Sequence, residues 1–164
     1  MVSTASAPKV SSGVTTAQLL DHWQGHRRLT RRVFEAFPEK ELFNFSLGGM
    51  RTAAGLAQEL LAIAAPGLRQ IAVGGEEILN EEIDLKNSKE ELLRLWDKTT
   101  DEINTLWASL PEDALSRELL AFGMYPGTGW SSLIYYIDNE IHHRGQMYVY
   151  LRSLGIEPPF FWEK

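Results

Sequence analysis

Histidines and a run of arginines are the side chains of this sequence best suited to chemistry. His22 and His26 lie four residues apart, so that on a helix both imidazoles share one face. Arg27, Arg28, Arg31 and Arg32 follow at once and form two adjacent stripes. Guanidinium forks suit a carboxylate or phosphate from a substrate or partner chain. The simpler reading is a solvated face near a helix C-terminus, paired with glutamates. Aromatics Tyr125, Trp130, Tyr135, Tyr136, Tyr148 and Tyr150 crowd a second region, and most of them belong to a core or an interface. There are no cysteines. Disulfides, thiolate metal ligands and a cysteine nucleophile are therefore excluded, and a metal would need His, carboxylate or amide ligands. Glycine-rich phosphate loops, HExxH and GxSxG are missing as well.

Composition narrows the classes further. The net charge of −6 argues against a broad nucleic-acid-binding face, which needs clustered positive charge. No apolar run approaches the roughly 18 residues needed to cross a membrane, so neither nucleic acid nor membrane is an expected partner. The first 14 residues are small and polar and contain no apolar stretch; they read as a disordered leader rather than a secretory signal. A cytoplasmic location is the default expectation. The remaining span, 15–164, fits one domain, and a hydrophobic content of 44% supplies a core without staples.

Helical periodicity marks four long segments. The first runs from about Thr15 to Phe37, with Leu19, Trp23, His26, Thr30, Val33 and Phe37 on one seam, and Pro38 ends it. The following loop holds two Phe residues expected to tuck under the bundle. A second helix starts near Arg51 or Thr52 and runs through Leu60 and Ile63 toward Ile71, with a kink or break expected at Pro66. Ser88 and Glu91 form a capping box for the third, which Pro111 stops. The segment after Pro111 reads as a short helical turn leading to turn chemistry at Tyr125-Pro126-Gly127, without a hairpin signal. The last helix spans about Trp130 to Leu154 with Gly155 as its C-cap residue, and Gly145 within it predicts close packing against a neighbour. Four helices around one core, with antiparallel neighbours, is the simplest packing.

The stretch Ile137-Asp138-Asn139-Glu140-Ile141-His142-His143-Arg144-Gly145-Gln146, followed by MYVYLRSLGIEPP, resembles the DinB/YfiT-like superfamily. A Trp in an Arg-rich first helix, Met50-Arg51-Thr52 at the start of the second and a Pro-Gly turn before the last extend the resemblance over about 16–159. It implies an all-α four-helix bundle of up-down-down-up topology, often a homodimer, with a divalent metal at one end of the core. It also implies relatives that are metal-dependent transferases using a low-molecular-weight thiol. The family name refers to DNA-damage induction, a stress response, and implies no DNA binding.

The resemblance further implies a site of three histidines, one from the second helix and two, four apart, from the last. At the matching positions this sequence carries Glu59, Asn139 and His143, a harder donor set that favours Mn²⁺, Fe²⁺ or a weakly held Zn²⁺, with Ni²⁺ a further candidate. His26 is a fourth candidate ligand if the helices converge. Alternatively, His26 is a semi-buried histidine hydrogen-bonded to Glu59 or Asn139, with His22 at the surface. Glu59 and His143 can equally form a buried polar pair, completed by Asn139, that needs no metal. His142 is expected to face solvent or a partner subunit, and Arg144 to pair with Glu140. Tyr136, one turn before residue 139, is the best-placed aromatic to line a pocket. Three functions follow as expectations: a metal-dependent, thiol-using transferase or hydrolase; a non-catalytic binder of a small ligand that has lost the metal; and a dimeric interaction domain using the aromatic tail.

Overall fold

Thr15 opens the first helix with a complete capping box: its hydroxyl accepts from the Gln18 amide at 3.1 Å, while the Gln18 side chain accepts from the Thr15 amide at 3.0 Å. The computed structural model describes residues 13–164, so the expected leader lies almost wholly outside the described residues. Helix α1 covers Thr16–Ala36 and stops before Pro38. Where a loop was expected, a short helix α2 follows at Glu39–Asn44, buries Leu42, and leaves Phe43 and Phe45 packed partly buried against the core.

Helix α3 spans Ala53–Val73 and begins on a Thr52 cap that accepts from the Gly55 amide at 3.2 Å. It runs through Pro66 without a break. Proline inside a helix costs about 3 kcal/mol, but Leu60 to Ala65 are all buried and their packing outweighs that cost. Helix α4 spans Lys89–Ala108. Its Ser88 cap is only half of the expected box: the Ser88 hydroxyl accepts from Glu91 N at 3.3 Å, whereas the Glu91 side chain turns to Arg94.

The segment after Pro111 departs from expectation. Glu118–Ala121 (β1) and Tyr125–Thr128 (β2) form an antiparallel hairpin, and its turn takes Phe122 and Gly123 to positive φ. Helix α5, Gly129–Ser153, follows on a Thr128 capping box. Gly129 lets its start dock on the preceding loop, since a Cβ there would lie 2.3 Å from the Ala114 carbonyl oxygen. Gly145 does not mark a close approach. It is exposed, and a Cβ there would meet nothing within 4 Å.

The architecture is a four-helix bundle. Helices α1 and α3 each pack against both α4 and α5, so α1 and α3 occupy one diagonal and α4 and α5 the other. Among the described residues no helix is long and apolar enough to cross a membrane. The apolar core falls into two parts. One gathers Phe34, Phe37, Leu42, Trp96 and Tyr150; the other gathers Trp23, Leu68, Trp107, Leu133 and Tyr136. On α1 and α5 the positions between these halves carry buried polar side chains: His26, Arg27 and Thr30 on the first, Asn139, Glu140, His143 and Arg144 on the second. A polar belt therefore crosses the middle of the bundle.

Candidate functional site

Successive positions of α5 divide this belt into two clusters. Asn139 and His143 lie one turn apart and turn to α3, where both meet Glu59. The His143 Nε2 lies 3.0 Å and the Asn139 Nδ2 3.2 Å from the same carboxylate oxygen, Glu59 Oε1. The second oxygen, Oε2, is taken by the guanidinium of Arg51, which stands just before α3 and also reaches Glu81 at 2.8 Å. Tyr150 fixes the backbone there by donating to the Arg51 carbonyl at 2.8 Å. Burial and the nearby Arg51 charge hold the His143 pKa below its ordinary value. The His143 Nε2 faces the Glu59 carboxylate and its Nδ1 lies 3.1 Å from the Gln146 carboxamide oxygen, so two acceptors share the one N–H of a neutral ring. His142 is exposed beside it, as expected.

The three positions implied by the resemblance are thus brought together, with Asn139 and His143 converging on one oxygen of Glu59. Asn139 and His143 both turn toward Glu59, and the positive charge opposite them is a guanidinium. Among the described residues no group of three or more His, Asp or Glu side chains is arranged to hold a metal ion. As placed, both Glu59 oxygens are engaged, one by Arg51 and the other by His143 and Asn139. The importance of Arg51 escaped the sequence reading, which took it only as a helix start.

The second cluster lies on the neighbouring stripe of α5 and turns to α1 and α4. Glu140, 2% exposed, accepts from the Thr30 hydroxyl at 2.6 Å and lies 3.8 Å from both Arg27 and Arg144. Arg27 is as deeply buried. Its Nε donates to Thr100 at 2.8 Å, its Nη2 donates to the Trp96 carbonyl at 3.1 Å, and the guanidinium stacks 3.9 Å from the Trp96 ring centre. The arginine run is therefore split. Arg27 is a core residue, whereas Arg31 pairs with Asp97 and Arg32 with Glu163 near the surface.

His26 belongs to this second cluster. Its Nδ1 accepts from Arg144 at 2.9 Å, and its Nε2 faces His22 at 3.2 Å and the Lys164 ammonium at 3.4 Å. None of its hydrogen-bond partners is Glu59, Asn139 or His143, so its expected convergence on those residues is replaced by contact with Arg144. The expected surface position of His22 is observed. Burial, then the charges of Arg144, Lys164 and His22, lower the His26 pKa to about 3.

A pH dependence follows from His26. A histidine whose pKa is depressed in the fold contributes fully above its unfolded value and loses that contribution as pH falls toward the folded one. From 6.5 down toward about 3, stability should therefore decline, by about 2 kcal/mol from His26 alone near pH 5. His143 acts in the same direction, whereas the buried Glu140, with its pKa raised, opposes it. His26→Gln keeps an acceptor for Arg144, and its melting temperature should fall about 4–8 °C less than the wild type's between about pH 7 and pH 5. Equal falls would contradict this assignment.

Beside Glu59 opens a cleft of about 320 Å³ between α3, α5, the hairpin and the loop after α3. Of the first cluster only Glu59 lines it. Glu81, Phe122, Tyr125, Tyr135 and Tyr136 contribute further walls, so Tyr136 does line a pocket, as expected. Its ring is seated against α3 because residue 67 is glycine: a Cβ there would lie 2.5 Å from the Tyr136 ring. Burial pushes the Tyr136 phenol up to about 12.

A model of the DinB family matches residues 11–163. The chain belongs to the DinB family. Among solved structures, a DinB-like protein from Bacillus subtilis shares 23% identity with it at a TM-score of 0.71, covering 90% of this chain and 99% of that one. A second DinB-like protein, from Bacillus cereus, shares 19% at 0.71 over 89% and 97% of the two chains. A mycothiol-dependent maleylpyruvate isomerase shares 16% at 0.60, over 81% of this chain and 61% of that one. At these identities the likenesses establish the fold alone. No curated protein matches the chain.

Proposed function

We propose that this DinB-family chain is a small-ligand-binding bundle in which an internal ion pair stands where the family resemblance implies a metal, and in which the cleft beside Glu59 receives the ligand. The observation that carries this reading is the Arg51 guanidinium on the Glu59 carboxylate, opposite His143 and Asn139. A carboxylate already shared by a guanidinium, an imidazole N–H and an amide N–H has little capacity left for a cation. A divalent ion would have to displace Arg51, and with one carboxylate, one imidazole and one amide oxygen it would be held weakly.

Arg51 has a side chain 46% exposed and can be removed without opening the core. Arg51→Met leaves Glu59 with no cationic partner. Equilibrium dialysis against Zn²⁺ or Mn²⁺ should then show one bound ion, with at least about tenfold tighter binding than wild type. If Arg51→Met is as indifferent to both ions as the wild type, the guanidinium does not hold the metal's place.

A further inference from the structure

The walls of the cleft beside Glu59 say what it would select. Two carboxylates line it, Glu59 and Glu81. A single guanidinium, Arg51, bridges them from outside the lining. Two carboxylates thus share one cationic side chain, and one negative charge among these three groups is left uncompensated. Among the described residues no Lys, Arg or His side chain lines the cleft.

The remaining lining is mostly apolar, with four aromatic rings beside aliphatic residues and the hydroxyls of Ser131 and Ser132. Phe122 and Tyr136 meet edge to face with ring centres 6.2 Å apart, and Tyr135 meets Tyr136 in the same way at 6.3 Å. Tyr136 is 3% exposed and lines the cleft, while its hydroxyl is buried against Gly67 of α3, with the Ser132 side chain as its polar neighbour. Negative charge beside aromatic faces is the chemistry that recognises a cation, and the volume lies at the small end of the usual range for ligand sites.

We infer that the cleft binds small organic cations, a protonated amine carried on a flat apolar body. The ammonium lies toward Glu59 and Glu81, and the body packs against Phe122, Tyr135 and Tyr136. An anion of the same shape meets two carboxylates, and a neutral analogue leaves their charge unanswered. This inference rests on the reading of the cleft as the ligand site.

The test is a titration of the ¹⁵N-labelled full chain with three probes of nearly one shape: 2-phenylethylamine, 2-phenylethanol and 3-phenylpropionate. The amine should shift the amide resonances of Glu59, Glu81, Tyr135 and Tyr136 and bind at least about tenfold more tightly than either analogue. Glu81→Gln removes the uncompensated charge at a side chain 40% exposed, so the fold is kept, and should bring amine and alcohol within about threefold of each other. If the alcohol or the carboxylate binds the cleft as tightly as the amine, or if Glu81→Gln leaves the amine's preference intact, the cation inference falls while the ligand-binding reading stands. If no probe shifts those resonances, both fall together.

Discussion

Glu140→Ala should destabilise the bundle by about 3–5 kcal/mol, the largest loss expected from any single polar substitution in the belt. Glu140 is the carboxylate between two buried guanidiniums, Arg27 and Arg144, which are 1% and 5% exposed. Removing it strands both charges and leaves the Thr30 hydroxyl without its 2.6 Å acceptor. Urea unfolding of the variant should show the lower midpoint, and the melting temperature should fall on the order of 10 °C. Glu140→Gln, which keeps an acceptor for Thr30 but not the charge, should fall between the two. Replacing Arg27, Glu140 and Arg144 together by apolar residues of similar volume should be near neutral, because the desolvation of all three charges is then removed as well. A Glu140→Ala loss under about 1 kcal/mol would mean that the cluster is hydrated or otherwise compensated.

The second large effect is expected at Gly67. A methyl group there overlaps the ring of Tyr136, so either that ring leaves its seat or α3 and α5 separate. Overpacking of this kind costs about 1–3 kcal/mol, and the displaced ring narrows the cleft beside Glu59. Coupling identifies the cause. In a Tyr136→Leu background the cost of Gly67→Ala should drop by more than about 1 kcal/mol, as contacting residues are non-additive. Additive losses would show that the methyl group is felt elsewhere.

What could be read from the sequence was what local chemistry dictates. Ser88 before Glu91 and Pro38 are short-range signals, and α4 begins and α1 ends where these place them. The hairpin was hidden because Tyr125-Pro126-Gly127 reads as a turn, whereas pairing with Leu119–Ala121 makes it an edge strand, a position where proline is tolerated. Gly123 was the available turn signal. Glycine at 145 and at 67 looks alike in sequence; only the helix packing decides that the second faces an aromatic ring and the first faces outward.

The candidate site divides in the same way. Glu59, Asn139 and His143 were found through a resemblance in spacing, and the fold brings them into contact. Arg51 entered only through Met50-Arg51-Thr52 as a helix start, because its role depends on the chain entering α3 and on the loop that presents Glu81. Arg27 likewise looked like one of four surface arginines. Its burial arises from Trp96 and Thr100 on α4, partners far away in sequence. His26 sits on the seam that periodicity assigned to it, but the helix it meets presents Arg144 rather than His143, a difference of one residue on α5.

The most direct test of an ion pair in place of a metal is the metal content of the untagged wild-type protein. It would be incubated with Mn²⁺, Zn²⁺ and Ni²⁺, desalted, and measured by elemental mass spectrometry beside His143→Ala. The Arg51–Glu59 pair predicts that neither protein retains a stoichiometric ion. About one equivalent of a divalent metal in the wild type, lost in His143→Ala, would contradict it and return Glu59, Asn139 and His143 to service as ligands.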